Sequence, residues 1–267
     1  MTENVDRSST LFLFDVDGTL AESGQVIKKD MKDMLNELKK KGYHIAVAGG
    51  GKLSRVIVQL DGVGLNHYFT ECGCVYHIPS KKNDIIDSIT TEDEVTNIYT
   101  KSLRNHEMYS SINILIKECL HFLSQVDYTL TGNFIDLRDG IVYVSLIGMT
   151  ATQEERNVFK ELDKKHNYRS QLINHLKQKV CDLHVNSKIN IYEGGEVGIA
   201  IFPSEFDKQQ VVQHVNKDYD TIHYFGDKYL DNGNDRLLLN HDDVIGHPIN
   251  SPEETLSVLQ SIQRLTS

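Results

Sequence analysis

One short apolar run near the start of the chain ends in two carboxylates. Residues 11–20 read LFLFDVDGTL, in which Asp15 and Asp17 are separated by a single residue and followed by a glycine. A short continuous apolar run indicates a strand buried on both faces, as in a parallel sheet with helices on either side. In such sheets the ligand crevice lies beyond the carboxyl ends of the strands, so these two carboxylates are placed where a ligand binds.

The pattern of strand and helix then repeats. The segment KKDMKDMLNELKKKGY, residues 28–43, has apolar residues at helical spacing and a glycine near its end, and HIAVAGGG, residues 44–51, is a second short strand. Far downstream, TIHYFGDK, residues 221–228, is a third apolar run that ends in Gly-Asp. Strand, helix and strand in this order predict an α/β fold built on a parallel sheet that is covered on both faces.

The middle of the chain has a different pattern. We predict helices over residues 111–124 and 153–180, one hairpin that turns at Asp139-Gly140, and a second hairpin that turns at Gly194-Gly195. These elements indicate an α+β insertion, the cap, over residues 86–188. The core domain is then discontinuous and consists of residues 1–85 and 189–267.

Composition and charge exclude several classes of partner. The chain has 38 Asp and Glu against 28 Lys and Arg, a formal net charge of -10, which argues against a general affinity for nucleic acid or anionic membranes. The start MTENVDRSST lacks the basic and apolar regions of a secretory signal, and no stretch approaches the length of a membrane span. The four cysteines do not form a disulfide framework. We therefore expect a cytoplasmic protein.

Three strand ends should meet at one edge of the sheet. They bring together Asp15 and Asp17, the glycines at 49–51, and Asp227. Carboxylates crowded in this way stay ionised when a cation lies among them, and hard oxygen ligands suit Mg²⁺. The alternative is that Asp17-Gly18 is only a turn after a strand, and DVDGT by itself does not decide between the two.

A metal beside a free carboxylate indicates phosphoryl transfer. We assign Asp15 as the nucleophile and Asp17 as the general acid and base. Lys208 then supplies a fixed positive charge to the phosphoryl oxygens, and the backbone N–H groups of Gly50 and Gly51 cradle them. For Lys208 the alternative is an ordinary solvated surface charge.

Together these motifs resemble a known family. In order along the chain, LFLFDVDGTL, GNFIDLRDGIVYVSLIG, FDK and YFGDKYLDNGNDR resemble the haloacid dehalogenase superfamily and, within it, the eukaryotic phosphomannomutases, over nearly the whole chain. The resemblance implies a Rossmann-like core with an inserted mobile cap and a cap-mediated homodimer. It implies Mg²⁺ on Asp15, the Asp17 carbonyl oxygen and Asp227. It also implies interconversion of mannose 6-phosphate and mannose 1-phosphate through a sugar bisphosphate.

The chain departs from this family at the substrate ligands. Gly24, Thr131 and Met149 stand where the resemblance implies arginines, and Arg138 is the arginine that remains to bind substrate. Arg104, Arg156 and Arg169 are candidates to replace the missing ones. A mutase must keep its bisphosphate intermediate bound while that intermediate reverses its orientation in the site. An arginine side chain can hold a phosphate through two hydrogen bonds, whereas threonine and methionine cannot.

Three functions are therefore open at this point. The first is a phosphomannomutase-like phosphotransferase that acts on a hexose phosphate. The second is a phosphatase of the same fold that acts on a sugar phosphate or another small phosphoester. The third is a non-catalytic binding protein that retains the fold, and the intact set of Asp15, Asp17, Lys208 and Asp227 argues against it.

Overall fold

The computed structural model describes residues 7–81, 88–230 and 233–265. The chain forms two compact units, one of Met1–Thr100 and Lys208–Ser267 and the other of Lys101–Asp207. None of the helices within these described ranges is both long and apolar enough to span a bilayer.

The secondary structure alternates between strands and helices in the first unit and is mixed in the second. The strands are β1 (Thr10–Phe14), β2 (His44–Ala48), β3 (His67–Thr70), β4 (Val75–Pro79), β5 (Val95–Thr100), β6 (Ile135–Leu137), β7 (Val142–Ser145), β8 (Ile189–Gly194), β9 (Gly198–Pro203), β10 (Thr221–Gly226) and β11 (Ile245–Pro248). The helices are α1 (Lys29–Lys40), α2 (Leu53–Leu60), α3 (Tyr109–Leu123), α4 (Gln153–His166), α5 (Tyr168–Asp182), α6 (Val212–Val215), α7 (Arg236–Leu239) and α8 (Pro252–Leu265).

A seven-stranded sheet forms the centre of the first unit, in the order β11-β10-β1-β2-β3-β4-β5. The strands from β11 to β3 are parallel to one another, and β4 and β5 add an antiparallel edge. Strand β1 lies between β10 and β2, so the carboxyl ends of these three strands are neighbours. This confirms the predicted parallel sheet.

The sheet is buried on both faces, as its apolar strands require. Phe12 and Phe14 of β1 pack into a core that includes residues of α1, α2 and α8. Leu11 and Leu13 of the same strand point into the opposite core, which includes residues of α6 and α7. Alternate side chains of one strand thus enter two different cores, which is why LFLF has no polar position.

The second unit contains a four-stranded antiparallel sheet in the order β6-β7-β9-β8. Both predicted hairpins are present, as β6 with β7 and β8 with β9. The helix predicted over residues 153–180 is two helices, because Asn167 between them is in the left-handed conformation, with φ 58°. Asparagine is one of the few residues that adopt this conformation at low cost.

Both boundaries of the second unit lie further along the chain than the sequence analysis placed them, at 101 and 207 instead of 86 and 188. At the first boundary, β5 pairs with β4 and so extends the sheet of the first unit. At the second, β8 and β9 pair with β7 and so complete the sheet of the second unit. Strand pairing is non-local, and a hairpin pattern does not reveal which sheet it joins.

The apolar face of α3, on which the sequence-based argument for a dimer partly rested, is used inside the second unit. Ile112, Leu115 and Leu123 are buried, and α3 packs against α5. Of the other two residues of that face, Ile116 is partly buried and Leu120 is 46% exposed. This face is therefore mainly the core of the unit, and it does not support a dimer.

Candidate active site

Residues at the ends of three neighbouring strands form the site in the first unit. Asp15 directly follows β1, the glycines at 49–51 follow β2, and Asp227 follows β10. The Asp15 N–H continues the ladder by donating to the carbonyl oxygen of Phe225 at 2.9 Å. Pairing of the parallel strands therefore fixes the backbone from which the Asp15 carboxylate projects.

A fully buried lysine lies beside Asp15. Lys208 begins a short 3-10 turn, and its Nζ donates to Asp15 and, at 2.6 Å, to Asp235 Oδ1. Asp235 is itself fully buried and accepts hydrogen bonds from the Tyr224 hydroxyl at 2.5 Å and from the Lys228 backbone N–H at 2.9 Å. The interpretation of Lys208 as a solvated surface charge is therefore wrong.

The charges of this group are strongly coupled. Burial raises the pKa of the Asp15 carboxyl well above its ordinary value, and only the contact with Lys208 opposes that effect appreciably. For Lys208, burial works in the opposite direction, but Asp15 and Asp235 outweigh it and raise the pKa of the ammonium well above its usual range. The lysine is therefore held as a cation, and a second cation beside Asp15 would keep that carboxylate ionised.

Three carboxylates of the site could hold a metal ion. Oxygen atoms of Asp15, Asp227 and Asp235 all lie within 4.8 Å of one another. Asp227 Oδ2 accepts from Lys228 Nζ at 2.5 Å, but its Oδ1 is buried and has no hydrogen-bond partner within the described ranges. Since a buried carboxylate oxygen without a partner is costly, this oxygen is suited to a cation. The donor set, all oxygen, fits a hard metal ion.

The Asp17 carboxylate has different partners. Its Oδ1 accepts from the Gly24 backbone N–H at 2.7 Å and from Gln59 Nε2 at 2.8 Å. Its Oδ2 accepts from Arg55 Nη2 at 2.9 Å, and the same nitrogen lies 3.2 Å from Oδ1. The side chain of Asp17 is held by these donors and is not one of the three clustered carboxylates, so a metal contact through the Asp17 carbonyl oxygen stays a prediction.

Gly18 allows the two halves of the site to approach each other. It has φ +89°, and a Cβ atom on it would lie 2.5 Å from Asp227 Oδ2. Both the backbone conformation and the lack of space exclude a side chain here. The glycine of DVDGT is therefore required by the close approach of the Asp227 carboxylate.

The glycine loop after β2 is supported by a second turn. The Gly49 N–H donates to Phe69 O at 3.0 Å, so it is not available to a ligand. Glu71 N–H donates to Gly51 O at 3.2 Å, and Cys72 N–H donates to Gly49 O at 2.9 Å. These bonds hold the loop that carries Gly50 and Gly51, the two residues predicted to contact phosphate.

Comparison with known proteins decides the family. A sequence model of the eukaryotic phosphomannomutase family matches residues 31–265. The chain belongs to this family. The phosphomannomutase of Glycine max is 31% identical over 96% of this chain and 97% of its own length. That of Arabidopsis thaliana is 32% identical over 94% and 95% of the two chains, and that of Saccharomyces cerevisiae is 31% identical over 97% and 96%.

Solved structures with the same fold include phosphatases. Plasmodium falciparum IMP-nucleotidase with bound IMP superposes with a TM-score of 0.65 at 14% identity, covering 96% of this chain and 68% of that one. The C-terminal domain of Candida albicans trehalose-6-phosphate phosphatase superposes with a TM-score of 0.57 at 15% identity, covering 97% and 93%. At these identities the likeness shows the fold, which is the Rossmann-like haloacid dehalogenase fold.

In the second unit of this phosphomannomutase-family chain, the predicted substrate ligand Arg138 and the substituted position Thr131 both make internal contacts. Arg138 is only 10% exposed at its side chain, where Nε donates to Asp136 Oδ2 at 2.7 Å. The Thr131 hydroxyl donates to Ile147 O at 3.0 Å. Neither contact tests a role in substrate binding, which for Arg138 stays a prediction.

Of the candidate replacements for the missing arginines, Arg156 and Arg169 form hydrogen bonds or ion pairs within the second unit. Arg156 donates through Nη2 to Met149 O at 3.1 Å and through Nε to Ala151 O at 3.1 Å, so it lies beside one of the substituted positions. Arg169 is engaged by Asp163 at 2.6 Å and by Glu193 at 3.0 Å. Arg156 is therefore the better placed of the two.

Several residues that surround the carboxylates of the site were not found by sequence reasoning. Asp235 lies in the motif GND, which was noticed without a role being assigned to its aspartate. Tyr224, at an alternating position of β10, gave no signal because an aromatic residue is ordinary there. Arg55 and Gln59 lie one turn apart on α2 and face Asp17, and helical spacing showed only that they share a face.

Proposed function

We propose that this chain catalyses magnesium-dependent phosphoryl transfer on a hexose phosphate, through an aspartyl-phosphate formed on Asp15. The observation that carries the proposal is the buried contact of Lys208 with Asp15, next to Asp227 and Asp235. A fully buried ammonium beside a carboxylate at the end of a parallel strand costs desolvation energy, and a structural role does not need it at this point.

The proposed reaction proceeds by two displacements at phosphorus. An oxygen of the Asp15 carboxylate forms a bond to the phosphorus atom while the bond from phosphorus to the sugar oxygen breaks. The leaving oxygen takes a proton from Asp17, so the sugar departs as an alcohol. In the second step a sugar hydroxyl gives its proton to Asp17 and attacks phosphorus, and the Asp15 carboxylate is released.

The remaining residues stabilise charge. Lys208 Nζ, held by Asp15 and Asp235, is placed to interact with the phosphoryl oxygens. Gly50 and Gly51, in the loop after β2 on the same edge of the sheet, are proposed to contact the phosphate. Mg²⁺ held by Asp15, the Asp17 carbonyl oxygen and Asp227 supplies positive charge that reduces the repulsion between the carboxylate and the phosphate.

The choice of substrate in this proposal follows from the relatives named above. As phosphomannomutases are the family to which the chain belongs, we propose conversion of mannose 6-phosphate to mannose 1-phosphate through a bisphosphate. A cytoplasmic location, which rests on the sequence pattern, and a homodimer through the second unit, which rests on the resemblance alone, are part of the same proposal.

A sugar-phosphate phosphatase is the second candidate. It is favoured by Gly24, Thr131 and Met149, which lack the cations that would retain a bisphosphate. If the intermediate is held weakly, water instead of a sugar hydroxyl attacks the aspartyl-phosphate.

One set of assays tests both candidates. Purified protein is supplied with mannose 1-phosphate, Mg²⁺ and a hexose 1,6-bisphosphate, and both mannose 6-phosphate and free phosphate are measured. We expect chelation of Mg²⁺ and the variant Asp15→Asn each to abolish both products, because the amide keeps the shape but is not a nucleophile. Asp33→Asn, an exposed residue of α1, is the matched control and should retain wild-type rates.

The outcomes separate the proposals. Formation of mannose 6-phosphate faster than free phosphate supports the mutase, and the reverse supports the phosphatase. If Asp15→Asn retains wild-type turnover, the proposed mechanism is wrong. If the wild type acts on neither a hexose phosphate nor another small phosphoester, the non-catalytic alternative replaces it.

A further inference from the structure

Arg55 is a cation of the site that the sequence analysis did not find. It lies in the first turn of α2, the helix that follows the glycine loop, and its side chain is 45% exposed. The guanidinium contacts Asp17 through Nη2 alone. Within the ranges that the structure describes, Nε and Nη1 of Arg55 donate no hydrogen bond. This arginine therefore presents unused donors beside the residue proposed as the general acid and base.

Two glycines lie directly beside this side chain. A Cβ atom placed on Gly24 would lie 3.7 Å from Arg55 Nη2, and one placed on Gly51 would lie 3.7 Å from Arg55 Cδ. Gly24 is also one of the positions at which the chain lacks an implied arginine. The guanidinium of Arg55 thus lies where a side chain at position 24 would begin.

Asp17 does not depend on Arg55 alone for its position. Its Oδ1 is already held by the Gly24 N–H and by Gln59 Nε2, at 2.7 and 2.8 Å. A half-exposed ion pair adds little to stability. The remaining donors of this half-exposed guanidinium are open to solvent, so an anionic ligand can take the place of water on them.

We infer that Arg55 is a specificity-determining residue, which binds the phosphate group of the substrate that is not being transferred. A planar guanidinium can bridge two anions, with Nη2 on the Asp17 carboxylate and its remaining donors on phosphate oxygens. Arg55 thereby replaces, from α2, the arginine that is missing at position 24. The inference rests on the proposed function, because it assumes a substrate with a second phosphate.

Equilibrium binding tests the inference without turnover. Glucose 1,6-bisphosphate is titrated, in the presence of Mg²⁺, into the Asp15→Asn protein and into the same protein with Arg55→Met. We expect the second change to weaken binding by about tenfold or more, since charge-assisted contacts to phosphate are lost. Arg55→Lys keeps the charge without the planar fork and should give an intermediate affinity.

Two further variants serve as controls in the same background. Lys40→Met removes an equal charge from the exposed end of α1, next to the amino end of β2 and therefore at the opposite edge of the sheet. It should change the affinity by less than about twofold. Val58→Ala changes an exposed position of α2 without touching the contacts of Asp17, and it should leave bisphosphate affinity within about threefold of the parent.

Steady-state kinetics of Arg55→Met with Asp15 intact provide a second test of the inference. Arg55→Met should raise the KM for glucose 1,6-bisphosphate by about tenfold. The KM for p-nitrophenyl phosphate, which has no second phosphate, should remain within about threefold of wild type.

Two results would overturn the inference. One is unchanged bisphosphate affinity in folded Arg55→Met, and the other is an equal loss with both kinds of substrate. Either would show that Arg55 only positions Asp17. A failure of the proposed function would be recognised by a different result, namely wild-type turnover in the Asp15→Asn variant.

Discussion

A partly buried imidazole in the first unit should make the stability of the protein depend on pH. His67 is the first residue of β3, and its Nδ1 lies 2.8 Å from the Tyr76 hydroxyl while its Nε2 lies 2.6 Å from the Tyr219 hydroxyl. Burial lowers the pKa of His67 to about 4, and the neighbouring His44 acts in the same direction. The folded protein therefore keeps His67 neutral at pH values where the unfolded chain carries a proton on it.

The magnitude follows from the difference between the two pKa values. With an ordinary value of 6.5 in the unfolded chain, the difference amounts to about 3 kcal/mol at a pH below both values. Because the unfolded state binds more protons between these values, the free energy of unfolding falls as the pH falls. About 2 kcal/mol of this contribution is lost between pH 7 and pH 5.

Urea unfolding at pH 7, 6 and 5 measures the effect, with His67→Gln as the test variant. The glutamine side chain does not titrate, so the variant should lose about 2 kcal/mol less than wild type over this interval. His121→Gln, an exposed residue of α3, is the control and should follow the wild type. If His67→Gln and wild type lose equal stability, then His67 is not held neutral and the reasoning is refuted.

Three further changes should have defined effects. Asp235→Asn leaves the buried Lys208 with one carboxylate fewer, so urea unfolding should show a loss of about 3 kcal/mol, and equal stability would contradict the coupling. Gly18→Ala places a Cβ against the Asp227 carboxylate, so the Mg²⁺ concentration for half-maximal activity should rise at least about fivefold. An unchanged value would mean that the approach of the two residues does not shape the metal site. Asn167→Ala should destabilise the second unit by about 1 kcal/mol while Asn167→Gly does not, and equal melting temperatures for both would argue against a left-handed residue there.

The sequence alone determined the type of fold and the position of its site. The uninterrupted apolar run before Asp15 predicted a strand buried on both faces, and the runs before Gly49 and before Asp227 predicted two more. Because parallel strands end at the same edge of a sheet, the three predicted strands brought Asp15, the glycines and Asp227 together. The local pattern was sufficient for these conclusions, because a strand that is buried on both faces needs apolar side chains at consecutive positions.

Which partner each charged side chain has depends on contacts between distant parts of the folded chain. Lys208 and Asp15 are 193 residues apart in sequence, and Lys208 is joined to Asp235 in the same cluster. Arg55 reaches Asp17 across 38 residues, and nothing in the helical pattern of α2 distinguishes it from a solvated arginine. The pairing of β5 with one sheet, and of β8 and β9 with the other, likewise depends on contacts between distant residues. Side-chain partners and strand pairings join distant parts of the chain, so their energies depend on the assembled structure and not on the neighbouring residues in sequence.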